Sequence, residues 1–208
     1  SDGNDEEDNA IIFTNHRRQH EVQGVRVGKG ANGEVFKFMY ERRGDSANSS
    51  RRYYVVKCFS RSLDAKHRRN LKREYDLLSK PISPNVVRYL ALEEEPTVGV
   101  VNAGQVAPIG LQGEYRCRLY MEFAGDITLT SSIKFSQHRP SDVQLAQNIA
   151  SWIEQLVDAV SKLHSKGILH CDLKPDNIII DGRKLTLIDF GEMKAIDPSR
   201  GDDEDATD

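Results

Sequence analysis

In two early stretches of the chain, HEVQGVRVGKGANGEVFKFMYE at 20–41 and RYYVVKCF at 52–59, apolar residues alternate with polar ones or gather in β-branched and aromatic runs. Alternation on either side of a glycine cluster predicts two strands joined by a tight loop, and the second stretch predicts a third strand. Between them RRGDSANSS (42–50) is small, polar and turn-rich, a surface loop. From Asp64 to Lys80 the period lengthens. Leu71, Tyr75 and Leu78 share one helical face, and the two prolines of KPISP end the helix. NVVRYLAL (85–92) and YRCRLYMEF (115–123) read as further strands. The stretch 93–114 is long for a connection in a compact domain and reads as a surface insertion. Leu145, Ile149, Trp152, Ile153, Leu156, Val160 and Leu163 recur at helical spacing, which predicts the strongest helix over 141–165 with Gly167 just past its end. Short strands NIIID and KLTLID follow, joined by the turn DGRK.

Composition narrows the class. The 208 residues suffice for one domain with a substantial core or for two small lobes. Apolar content of 38% with 29% charged residues fits a soluble globular protein rather than a disordered chain. A net charge of −3 gives no global reason to expect nucleic acid or an anionic membrane as partner. No apolar run approaches the roughly 20 residues that span a bilayer, and the acidic N-terminal stretch lacks a secretory signal pattern. Cys58, Cys117 and Cys171 are few and widely spaced, neither a disulfide framework nor a metal site. An intracellular location, cytoplasmic or nuclear, is the expectation. The acidic runs at 1–9 and 201–208 read as disordered tails.

Three stretches carry chemistry. GKGANGEV places Gly28, Gly30 and Gly33 ahead of Val35. Glycines let a backbone approach phosphate oxygens without Cβ interference, but a plain hairpin turn explains the same cluster equally well. A strand rather than a helix follows the glycines, and there is no Gly-Lys-Ser/Thr ending, which argues against a dinucleotide fold and against a P-loop. Lys57 closes YVVK in an apolar strand and needs a counter-charge if it faces inward; Glu74, beside the Leu71/Leu78 face, is the best candidate. A snorkelling surface lysine and a solvated glutamate remain the simpler reading of those two residues alone. ILHCDLKPDNIIID (168–181) crowds acids, an amide and a lysine between apolar runs, where burial without partners would be costly.

Taken together these stretches resemble the eukaryotic-type protein kinase family: a G-x-G-x-x-G-x-V loop, V-x-K, a helix Glu, HCDLKPDN and DFG, in the family's order from Gly28 to Gly191. The resemblance implies an α+β, two-lobed fold: a five-stranded antiparallel N-lobe with one helix over 10–121, a hinge at 122–126, and an incomplete helical C-lobe over 127–196, flanked by acidic tails at 1–9 and 197–208. It implies that Lys57 holds the α- and β-phosphates of ATP and pairs with Glu74, that Asp189 and Asn177 hold Mg²⁺, and that Asp172 accepts the proton of a substrate hydroxyl. Lys174 would stabilise the transferring phosphoryl group and is similar to the serine/threonine branch. Gly28, Gly30 and Gly33 would cover the phosphates. Met121 would be the gatekeeper, Glu122 and Ala124 would offer backbone hydrogen bonds to adenine, and Val35, Val55 and Ile179 would sandwich the ring. Phe190 and His170 would pack with Leu78.

Two departures from the family pattern are notable. Cys171 stands where the family has an arginine that pairs with a phosphorylated loop, so activity is expected not to depend on phosphorylation at that contact. Only 17 residues follow Gly191. The elements that dock peptide substrates are not in this sequence: either it is a piece of a longer protein, or it is a naturally short kinase, in which case a partner is expected to cover the apolar face left on the 141–165 helix. The basic run KHRRNLKR (66–73) reads as the solvated face of the Glu74 helix. The expected function is Mg-ATP-dependent phosphoryl transfer to protein serine or threonine hydroxyls. Its rival is a pseudokinase-like scaffold that binds nucleotide without transfer.

Overall fold

The computed structural model describes residues 24–30, 33–40, 52–59, 63–94, 117–136 and 142–196. The expected acidic tails, the loop at 42–50 and the insertion from residue 95 onward lie outside the described residues. The chain divides into two compact units, Ser1–Ser79 with Tyr89–Phe123, and Lys80–Arg88 with Ala124–Asp208.

Five strands build the first unit: β1 (Val25–Gly30), β2 (Gly33–Tyr40), β3 (Arg52–Phe59), β4 (Tyr89–Glu94) and β5 (Cys117–Glu122). They form one antiparallel sheet in the order β1-β2-β3-β5-β4. Alternate residues of these strands pack a single core on one face: Phe36, Phe38, Tyr54, Val56, Cys58 and Tyr120, closed by Leu90 and Ala91. The Tyr54 ring lies at its centre, fully buried, stacked 5.4 Å from Phe38 and 6.4 Å from Tyr120. The Phe, Leu and Val side chains among them each contribute roughly 1.5–3 kcal/mol by leaving water. Helix α1 (Ala65–Leu78) starts where the carboxylate of Asp64 accepts the His67 N–H at 2.8 Å, an N-cap that satisfies one of the helix's unpaired donors. It buries Leu71, Glu74 and Leu78 and exposes Lys66, His67, Arg69, Lys72 and Arg73, while the half-buried Arg68 donates from Nε to the Leu63 carbonyl at 2.8 Å.

The second unit holds α2 (Leu129–Ser136), α3 (Asp142–Ser165), a paired β6 (Ile168–Leu169) and β9 (Lys194–Ala195), and a hairpin of β7 (Ile178–Asp181) and β8 (Lys184–Leu187). The hairpin turns at Gly182, whose φ of +58° belongs to the left-handed region that glycine enters without penalty. Of the apolar residues expected on one face of α3, Trp152 and Leu163 are buried. Ile149 and Ile153 join Val157 in an exposed stripe at i, i+4 and i+8. The helix is thus apolar on two faces, and only one of them is covered among the described residues of the unit.

Lys80–Arg88 departs from the sequence expectation, which placed it in the first lobe with a strand beginning at Asn85. The strand begins at Tyr89, and the preceding segment belongs to the second unit because Asn85 is a buried hub there. Its amide Nδ2 donates to Gln155 Oε1 and to the Leu185 carbonyl, both at 2.7 Å, while its own carbonyl accepts from Leu187 N at 2.8 Å. Gln155 also accepts from Leu185 N at 2.9 Å and donates to the Arg183 carbonyl at 2.7 Å. Two amide side chains therefore satisfy the outer edge of β8.

Candidate active site

Register in the first unit decides which side chains share a face. Val35 lies opposite Lys57, Lys37 opposite Val55, Val55 opposite Met121 and Lys57 opposite Leu119. Directly opposed residues of antiparallel strands project to the same side. Val35, Val55, Lys57 and Met121 therefore line one face, on the side of the sheet away from the aromatic core. Met121 is buried and the other three are half-buried. Lys57 reaches within 5.7 Å of the Phe59 ring centroid. Glu74 is buried on α1 and accepts a hydrogen bond from the hydroxyl of the equally buried Tyr89. Glu122 ends β5 and is exposed.

The three glycines play different parts. At Gly33, with φ of +151°, an added Cβ would meet the Cys58 carbonyl oxygen at 2.0 Å, so close strand packing requires a glycine. At Gly28 a Cβ would make ordinary contact with Val35 at 3.6 Å, and at Gly30 it would meet nothing within 4 Å among the described residues. Packing does not require a glycine at position 30. The space a Cβ would fill is open.

The second unit gathers the polar residues of ILHCDLKPDNIIID into one cluster. Lys174 Nζ lies 2.6 Å from Asp172 Oδ2, and Asn177 Nδ2 donates to the same carboxylate oxygen at 2.8 Å and to the Asp172 carbonyl at 2.9 Å. The Lys174 hydrogen bond, followed by that of Asn177, holds the Asp172 carboxyl below the usual aspartate range, and the same carboxylate raises Lys174. His170 sets the loop's backbone. Its Nδ1 accepts the Asp172 N–H at 3.2 Å, so Nε2 carries the proton and donates to the Ile188 carbonyl at 3.0 Å. Its ring packs on Phe190 at 4.5 Å between centroids. The Asn177 carbonyl accepts from Ile188 N at 3.0 Å, joining the loop to the segment that carries Asp189.

Cys171 and Asp189 both have left-handed backbones, with φ of 61° and 59°. Such conformations cost non-glycine residues on the order of 1–3 kcal/mol and persist where the surroundings over-determine them. One flanks Asp172 and the other carries a predicted metal ligand. Ile179 is buried in β7, and a Cβ on Gly125 (φ +135°) would approach its Cγ2 to 2.9 Å. Ala124 precedes that glycine and is half-buried.

The sequence-predicted residues therefore fall into two groups, one per unit. Val35, Val55, Lys57 and Met121 share a sheet face in the first unit, with Glu74 on its helix. Asp172, Lys174 and Asn177 are in mutual contact in the second, with Asp189 on the adjoining segment. Sequence reasoning missed Asn85, Gln155 and Gly125. The two amides carried one signal, a polar residue set among apolar neighbours.

The donor set suits a hard cation. Asn177 spends its Nδ2 on Asp172, so Oδ1 is the atom it could offer a metal, and Asp189 carries an exposed carboxylate. Among the described residues no group of three His, Cys, Asp or Glu side chains is placed to hold a metal ion. A divalent cation here would need further oxygens from a bound phosphate. No helix among those residues is long and apolar enough to cross a membrane.

Residues 22–207 match the protein kinase domain. The chain is similar to the serine/threonine-protein kinase PKH2 of Saccharomyces cerevisiae, 30% identical over 70% of this chain and 13% of that protein. It is similar also to mitogen-activated protein kinase kinase 7 of Arabidopsis thaliana, 26% identical over 90% of this chain and 52% of the relative. The serine/threonine-protein kinase mph1 of Schizosaccharomyces pombe is 28% identical over 82% of this chain and 21% of its own length. The chain belongs to the protein kinase family. It spans about half, or much less, of the length of these curated relatives.

Proposed function

We propose that the protein transfers the terminal phosphoryl group of Mg-ATP to serine or threonine hydroxyls of protein substrates. The observation that carries this reading is the Asp172–Lys174–Asn177 cluster: a carboxylate held ionised by a neighbouring ammonium, beside an amide whose oxygen remains for a metal. Such chemistry runs on positioning and charge neutralisation, not on a covalent intermediate. Asp172 orients the attacking hydroxyl and takes its proton. Lys174 offsets charge developing on the transferred group. Asn177 Oδ1 and Asp189 hold Mg²⁺, which supplies neutralisation of the phosphate oxygens when bound.

In the first unit, Lys57 holds the α- and β-phosphates and pairs with Glu74. Gly28, Gly30 and Gly33 leave the backbone room to cover them, a reading supported by the open space beside Gly30. Val35, Val55 and Met121 contact the adenine ring, and the backbone of Glu122 bonds its edge. A partner covering α3 belongs to the same reading, supported by the exposed stripe of Ile149, Ile153 and Val157.

Incubation with labelled ATP, Mg²⁺ and a generic acceptor protein tests the proposal. Incorporation by the native chain, reduced about 100-fold or more in Asp172→Ala, supports transfer. Thermal stabilisation by nucleotide without any incorporation would instead establish the scaffold reading.

A further inference from the structure

Lys37 in β2 was not singled out by any motif, yet its ammonium lies over two aromatic rings at once. Nζ is 4.4 Å from the Tyr53 centroid and 4.0 Å from that of Phe123. The rings themselves are 5.5 Å apart and inclined at 59°. The sheet explains how three strands contribute to one cluster. Tyr54 lies opposite Glu122, so Tyr53 and Phe123 continue the β3–β5 register as a cross-strand pair, while Lys37, opposite Val55, reaches them diagonally. All three residues are half-buried, which leaves the cation partly desolvated and strengthens its attraction to the ring faces.

We propose that Lys37, Tyr53 and Phe123 form a cation–π clamp that fixes the chain as it leaves β5, making Lys37 a positioning residue for adenine binding. Phe123 directly follows Glu122, whose backbone is one of the groups assigned above to adenine, so the inference rests on that nucleotide reading. The chain after Glu122 has left the β5 ladder, and strand pairing no longer fixes its path. The cation and the Tyr53 ring hold the Phe123 side chain instead. Without them the adenine-facing backbone samples more conformations, and that entropy is lost on binding. Arginine can replace the ammonium over the rings, whereas methionine keeps the length of the side chain without its charge.

The test measures binding of adenosine, which carries no phosphate and so removes any direct attraction between Lys37 and a triphosphate. In the full chain, Lys37→Met and Tyr53→Leu are each expected to weaken adenosine about 3- to 10-fold, the double variant no more than either alone, and Lys37→Arg to bind like the native protein. ATP should show the same factor in KM with kcat unchanged. Additive losses in the double variant, or native adenosine affinity in Lys37→Met, would overturn the clamp while leaving the nucleotide reading intact. Native protein that binds neither adenosine nor ATP would overturn both. A loss confined to ATP would make Lys37 a phosphate contact and refute positioning.

Discussion

The side-chain amide of Asn177 donates to two oxygens of Asp172, the backbone carbonyl at 2.9 Å and carboxylate Oδ2 at 2.8 Å. One residue thereby fixes both the position of the acid and the orientation of its carboxylate. Lys174 shares Oδ2 at 2.6 Å and is the larger cause of the lowered Asp172 pKa. Because the folded-state value is depressed, any stability linked to this group is present above the unfolded aspartate value and is lost as pH falls through the lower folded value. Lys174→Met should move the Asp172 titration, followed by carboxyl NMR, upward toward the ordinary aspartate range. Asn177→Asp, which faces the carboxylate with a second one, should raise it too. A titration unmoved in both variants would refute this origin of the shift.

Two glycines of one loop should respond oppositely to alanine. Gly33→Ala forces a Cβ to within 2.0 Å of the Cys58 carbonyl at a backbone of φ +151°. It should destabilise the protein by on the order of 3 kcal/mol or more, or prevent folding. Gly30→Ala meets no described atom within 4 Å and should leave stability within about 0.5 kcal/mol. Its effect should fall on nucleotide affinity instead. Urea denaturation and nucleotide titration of both variants check the contrast. Equal destabilisation by the two would show that the cluster is only a hairpin turn.

Much of this was legible before any coordinates. Alternation about the glycine cluster identified β1 and β2 and the aromatic run identified β3; β2 and β3 each bury aromatic side chains, whereas β1 has no buried residue, and the order of the motifs named the residues of both groups. What escaped the sequence was tertiary. Asn85 looked like the first residue of a strand, and only its hydrogen bonds to Gln155 and Leu185, across 70 and 100 residues of chain, assign it to the second unit. Periodicity likewise put Ile149, Trp152 and Ile153 in one apolar set, since it reports that residues are apolar, not which face is covered. Lys37 belongs to no pattern at all, because a cation over two rings depends on the register of three strands.

The hydrogen bond from Tyr89 to Glu74 ties β4 to α1 inside the first unit. Both residues are buried, so the phenol supplies the Glu74 carboxyl group with a partner that water cannot replace. Tyr89→Phe removes that donor without changing the packing volume. It should cost about 2 kcal/mol in chemical denaturation. In transfer assays it should lower activity, because Glu74 is the proposed counter-charge of Lys57. A variant as stable and active as the native protein would show that Glu74 is held by its other contacts alone.

The three thiols fall into two environments, and their reactivity should separate them. Burial disfavours the thiolate and pushes Cys58 up to about 12 and Cys117 to about 11. Both lie in the sheet and are closed to solvent, whereas Cys171 is exposed. At pH 8 a disulfide reagent should therefore label one thiol per native chain, and all three in denaturant. Cys171→Ser should abolish the native reaction. Since Cys171 adjoins Asp172 on a left-handed backbone, its modification should also slow phosphoryl transfer, and Cys171→Gly, which relieves that backbone conformation, should be folded and insensitive to the reagent. Native labelling of two or more thiols would mean that the sheet opens far more readily than its packing implies.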